Sequence, residues 1–191
     1  MARTNKPRAA KPALPVKLIR SKRIHEGRII NLRVDLLEVI DSGVRIERDV
    51  IEHPGAVVLI PVDSKGRLLL VEQYRHAVGE TLLELPAGTL EPGEEPKLCA
   101  NRELQEEVGY KAKTLKAVGG YYVAPGYTSE YLHLFLATGL TSSKLKGDEE
   151  EGISSKPVSV ASALRMIKSG QIRDAKSVAG ILKYVTFLRN T

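Results

Sequence analysis

Glu103, Glu106 and Glu107 stand at i, i+3 and i+4 in the stretch Arg102-Glu103-Leu104-Gln105-Glu106-Glu107, a spacing that on an α-helix brings all three carboxylates to one face. Like charges so placed repel, at roughly 0.2–0.5 kcal/mol per pair in an isolated helix. A stable helix bearing three of them needs a cationic partner. A hard divalent cation with oxygen ligands, Mg²⁺ first with Mn²⁺ as a substitute, is the natural one. The plainer alternative is a solvated acidic face compensated by Lys97 and Arg102. Arg75 ends a predicted strand, where a guanidinium can bind an anion in fork geometry. The acidic run Asp148-Glu149-Glu150-Glu151 is by itself a solvated loop.

The elements that must position these groups follow from apolar spacing and punctuation. Pro96 suits a first helical turn and Gly109 a stop, so the spacing predicts a helix over Pro96–Val108 with Ala100, Leu104 and Val108 as its buried stripe. Before it, Ala56–Val62 is a continuous apolar run fit for a buried central strand. Asp63-Ser64-Lys65-Gly66 then predicts a hairpin into Arg67–Tyr74. Thr81–Pro86 reads as a short extended segment and Gly88–Gly93 as a loop. Thr114–Val123 and Tyr131–Ala137 read as strands flanking Ala124–Glu130. Two helices close the chain, Val160–Ser169 stopped by Gly170 and Ala175–Leu188 capped by Asp174. The loosely alternating residues 24–52, folded about Asp41-Ser42-Gly43, predict a small antiparallel element.

At 191 residues and 42% hydrophobic, the chain suffices for one well-buried domain with a satellite. The single Cys99 excludes a disulfide framework and fits a reducing, cytoplasmic setting. No uncharged stretch approaches the length of a membrane span. The net charge of +6 comes from the front of the chain. Residues 1–23 hold eight of the 29 basic side chains and no acid, leaving 21 basic against 23 acidic in the rest. The body is therefore no polyanion-binding surface, and neither a nucleic acid nor a membrane is an expected partner. The sequence is thus divided into a basic disordered arm (1–23), an N-terminal β element (24–52) and a main domain (53–191). His25, His53, His76 and His133 have structural settings, and Cys99 is a packed residue.

Read outward from the three carboxylates, Gly88, Glu94 and Arg102-Glu103-Leu104-Gln105-Glu106-Glu107-Val108-Gly109-Tyr110 keep the spacing G-x5-E-x7-R-E-U-x-E-E-x-G-U, where U is bulky and apolar. This resembles the box of the Nudix hydrolases; Tyr110 at the last apolar position is a mild departure. The resemblance implies an α/β fold, an α/β/α sandwich about a mixed sheet, hydrolysing a nucleoside diphosphate linked to a further moiety. It implies metal ligation by the Ala87 carbonyl with Glu103, Glu106 and Glu107. Glu94 and Arg102 join Glu106 as residues serving the reaction, Arg102 bracing Glu94 by a bidentate pair.

Pro125, sixteen residues beyond Gly109, is similar to the proline of the family's ADP-ribose branch. Further similarity runs through Glu72–Arg75, Glu84–Gly88 and Ile172–Ser177. By that resemblance Arg75, Arg48, Arg28, Glu84, Pro125 and Glu130 bind substrate, and Glu149 on the acidic loop is the general base, narrowly ahead of Glu150. At Arg28 or Ile29 the branch often carries an aromatic residue to stack on adenine, which this chain lacks; an arginine can stack instead. The branch also implies a homodimer in which the N-terminal elements exchange. The expected activity is Mg²⁺-dependent hydrolysis of ADP-ribose to AMP and ribose 5-phosphate. A pyrophosphatase for another nucleotide sugar such as GDP-mannose is the near rival, and a non-catalytic ADP-ribose sensor the distant one.

Overall fold

The computed structural model describes residues 15–145 and 153–189, which divide after Ile51 into two compact units. In the first unit β1 (Val16–Glu26), β2 (Asn31–Val39) and β3 (Arg45–Glu52) form a three-stranded sheet in that order. β1 corrects the expected arm: residues 16–23 are not disordered but pair antiparallel with β2, from Val16 opposite Val39 to Arg23 opposite Arg33. Sequence pattern hid this strand because its side chains are almost all exposed and many are basic. Main-chain pairing holds it where burial does not.

In the second unit, β4 (Ala56–Pro61) is buried along its whole length and pairs parallel with β9 (Tyr131–Ser142) and antiparallel with β7 (Ala87–Thr89). β8 (Tyr110–Tyr122) extends this sheet beyond β9. The alternation of β4 feeds two cores. Val57 and Leu59 pack with Cys99, Ala100 and Leu104 of α1 (Pro96–Glu107), whereas Val58 and Ile60 pack with Ala163 of α2 (Val160–Ser169) and Ile181 of α3 (Ala175–Lys183). A strand apolar on both faces is what a helix-covered mixed sheet demands.

The expected hairpin after β4 needs correction. Its turn forms, with Asp63 accepting from the Lys65 and Arg67 amides and the Arg67 side chain. Beyond the bridge between Val62 and Leu68, however, β5 (Leu68–Arg75) leaves for a second sheet between β6 (Glu80–Glu84) and β10 (Ser154–Val158). β4 already has both edges taken, so β5 cannot pair along it. β10 itself was unforeseen, and the last helix changes at Tyr184 into a π-helical turn that runs to Leu188. Gly170, at φ 77°, and Asp174, accepting from the Ser177 amide, terminate and cap the final helices as expected.

Candidate active site

α1 starts without a side-chain cap but with Pro96 at its first turn, and it sets Arg102 against Glu94 in the loop after β7 and Glu103 and Glu107 against β7 itself. Arg102 organises the group. Its Nε and Nη2 donate to the two Glu94 oxygens at 3.0 Å each, the expected bidentate pair, while Nη1 reaches Glu103 at 2.6 Å and Glu106 at 3.0 Å. Hydrogen bonds from Arg102 hold the Glu94 carboxyl at about 2, far below the usual carboxylate range. Glu103 goes the other way: burial pushes its carboxyl up, against the opposing charge of Arg102, and Glu106 and Glu94 add repulsion. Glu107 accepts from the Ala87 amide at 3.0 Å, tying helix to strand.

Gly88 is where this joint is tightest. A Cβ there would lie 1.9 Å from the Glu103 carboxyl, so only glycine lets that carboxylate settle against the strand. Gly88→Ala is therefore expected to displace Glu103 and to reduce turnover far more than it reduces the melting temperature; steady-state kinetics beside thermal unfolding checks this. Cys99 lies beneath, wholly buried, its thiol pushed up to about 12 by burial and by the Glu103 and Glu94 charges, which makes it inert packing as expected.

Three carboxylates around one guanidinium, with Glu107 on the same helix, leave an excess of negative charge. One carboxylate is buried and the strand beside it lacks a side chain, an arrangement that fits a hard, oxygen-seeking divalent cation. Among the described residues no three His, Cys, Asp or Glu side chains already converge as a closed cage. Glu103 and Glu106 turn to Arg102 and Glu107 turns to Ala87.

Ala87, Gly88 and Thr89 also line a cleft of about 520 Å³ together with Arg75, Glu130, Tyr121, Tyr122, Asp174 and Lys176. Arg75, at the end of β5, is positioned by Glu84: its Nε and Nη2 meet the carboxylate at 2.6–3.2 Å. Glu84 itself is 1% exposed and does not line the cleft; it holds the cations that do. Burial alone would raise its carboxyl, yet Arg75 and Lys176 together bring it below the ordinary value.

Pro125 sits in the turn whose Ala124 carbonyl accepts from the Tyr127 and Thr128 amides, between the cleft residues Val123 and Glu130 but not itself in the wall. Arg28 and Arg48 belong to the first unit, Arg28 between β1 and β2 and Arg48 on β3. Glu149 and Glu150 lie outside the described residues. His53 caps its own turn, its Nδ1 accepting from the Gly55 amide, and His133 packs edge-on to Tyr131. Both are structural, as expected.

Sequence reasoning gave no role to Lys176 or Tyr121 and made Asp174 a helix cap alone. Lys176 donates to Glu84 at 2.5 Å across 92 residues of sequence and to Asp174 at 2.9 Å, while the Tyr121 hydroxyl donates to the Lys176 carbonyl. The one available signal was that Asp174 and Lys176 flank the start of a capped helix. No periodicity links them to β6.

The NUDIX domain model matches residues 52–179, the whole stretch from the end of β3 into α3. An ADP-ribose pyrophosphatase of Bacillus subtilis is 37% identical over 171 residues, covering 88% of this chain and 92% of that protein. One of Mycobacterium tuberculosis is 38% identical over 167 residues, 86% and 80% of the two chains. A GDP-mannose pyrophosphatase of Cronobacter sakazakii is 33% identical over 178 residues, 87% and 93%. The crystal structure of an ADP compounds hydrolase superposes with a TM-score of 0.83 at 24% identity, covering 95% of this chain and 98% of that one, which supports the shared fold. With the glycine, the braced glutamate and the carboxylate helix found at one joint, and a domain match over most of its length, the chain belongs to the NUDIX family of hydrolases.

Proposed function

We propose that this hydrolase cleaves the diphosphate of ADP-ribose to AMP and ribose 5-phosphate, using Mg²⁺. The observation that carries this reading is a cleft whose walls hold both Arg75 and the stretch Ala87–Thr89, against which Glu103 and Glu107 rest. Relatives named ADP-ribose pyrophosphatase support the choice of substrate. Glu103, Glu106 and Glu107, with the Ala87 carbonyl, would hold the metal, and Arg102 keeps Glu94 and its neighbours in place. When bound, the cation offsets diphosphate charge and eases the ionisation of water. Arg75, pre-aimed by Glu84, binds the diphosphate and stabilises the charge that develops on the departing phosphate. Glu149 removes a proton from the attacking water. A panel of nucleoside diphosphate sugars tests the reading: kcat/KM highest for ADP-ribose upholds it, and highest for GDP-mannose transfers the chain to the second group of relatives.

The same reading includes a homodimer, with Arg48 and Arg28 serving the substrate, and a cytoplasmic setting. Among the described residues no helix is long and apolar enough to cross a membrane. Support for assembly comes from the first unit, where Leu18, Ile19 and Ile24 on β1 and Ile29, Ile30 and Ile40 in the turns beside β2 are exposed, a surface costly to leave in water. Because β1 begins at Val16, the harmless truncation is residues 1–14 rather than 1–23. Removing 1–14 is expected to leave dimer and turnover intact, and removing 1–51 to cost both. Light scattering and activity on the two forms decide it; a full-length monomer with normal turnover would exclude the shared site.

A further inference from the structure

The tripeptide His53-Pro54-Gly55, which leads into β4, has no part in the chemistry above, yet two stretches of the cleft wall are tied to it. The Gly55 carbonyl accepts at 3.1 Å from the amide of Leu90, the residue after Thr89. The Ser129 hydroxyl accepts from the His53 amide at 3.0 Å and donates to the His53 carbonyl at 3.4 Å, one residue before Glu130. The tripeptide is itself stiff. His53 Nδ1 accepts from the Gly55 amide at 3.0 Å, Pro54 fixes its own φ, and Gly55 takes a φ of 97° that a side chain rarely adopts. A Cβ on Gly55 would lie 3.2 Å from the Tyr131 carbonyl and 3.3 Å from the Leu90 side chain, so this peptide is wedged between the two stretches.

The loop that ends at Glu130 closes on itself. The Ala124 carbonyl takes the Tyr127 and Thr128 amides, Thr128 Oγ1 accepts from the Glu130 amide at 3.2 Å, and the Val123 amide donates to the Glu130 carbonyl at 3.2 Å. Such a loop holds its own shape but not its place on the molecule. Among the described residues, Ser129 is the only side chain of 124–130 that hydrogen-bonds outside the loop, and it does so across 76 residues of sequence. No described residue hydrogen-bonds the Glu130 carboxylate, so the main chain alone sets where that carboxylate stands in the cleft.

We infer that Ser129 is a positioning residue: by bolting its loop to His53 it sets Glu130 relative to the Ala87–Thr89 stretch, which the same tripeptide holds through Leu90. This rests on the nucleoside diphosphate sugar reading above, in which one substrate meets both stretches of wall.

A double-mutant cycle on kcat/KM for ADP-ribose tests it, with thermal unfolding measured on every variant. Ser129→Ala is expected to lower kcat/KM by about 5–10-fold, the loss that goes with one hydrogen bond. Made in a Glu130→Gln background, the same substitution should cost less than about twofold, because the group it positions is already gone. Ser129→Thr keeps the hydroxyl and should recover most of the rate. An equal loss in both backgrounds, the mark of a merely structural role, overturns the assignment. So do wild-type rates for Ser129→Ala or for Glu130→Gln, and a threonine variant no better than alanine. Should the wild-type enzyme turn over GDP-mannose and not ADP-ribose, the function reading fails separately, and the cycle is run on GDP-mannose.

Discussion

Glu107→Gln is expected to lower kcat by at least about a hundredfold, beyond the roughly 10–100-fold that partners outside a metal's own ligand set cost, while the fold survives. The amide oxygen of glutamine can still accept from the Ala87 N–H, so the joint between β7 and α1 keeps its hydrogen bond. The negative charge is what disappears. Removing it also relieves repulsion with Glu103 one turn earlier, by about 0.2–0.5 kcal/mol, so the variant should unfold no earlier than wild type in chelator. Turnover in saturating Mg²⁺ and thermal unfolding in EDTA measure the two halves. Wild-type turnover would remove Glu107 from the metal site. A large fall in melting temperature would make it a structural residue.

Glu149→Gln should lower kcat by roughly 10²–10⁴ with little change in KM, the loss typical of a positioned proton acceptor. The pH profile should lose its acidic limb as well, because the group whose ionisation shapes it is gone. Glu149 lies outside the described residues, so the expectation stands on its place in the acidic run after the last strand of the β8–β9 pair. If Glu150→Gln shows the loss instead, the base is one position later. If neither does, the base is not on this run.

The carboxylate helix and its loop were legible because their chemistry is local. Pro96, Glu94, Arg102 and the three glutamates lie within 14 residues, and the resemblance they carry implied the Arg102–Glu94 pair that the structure contains. The buried strand was legible too, since Ala56–Pro61 is apolar on both faces. Sequence failed where pairing is long-range or side chains stay exposed. β1 shows basic residues to water and is held through its main chain, so it read as an arm. The turn at Asp63 forms, yet the competition of β7 and β9 for β4 decides where β5 goes. Glu84 was named as a substrate residue from resemblance, whereas it is buried and positions Arg75 and Lys176; neither contact follows from any local pattern.

The most direct measurement is the hydrolysis of ADP-ribose by the full chain, with the products identified, in Mg²⁺ and again after EDTA. The account predicts AMP and ribose 5-phosphate in equal amounts, with turnover abolished by the chelator and restored by added Mg²⁺. No cleavage of ADP-ribose in saturating Mg²⁺, cleavage to other products, or turnover undiminished in EDTA would contradict it.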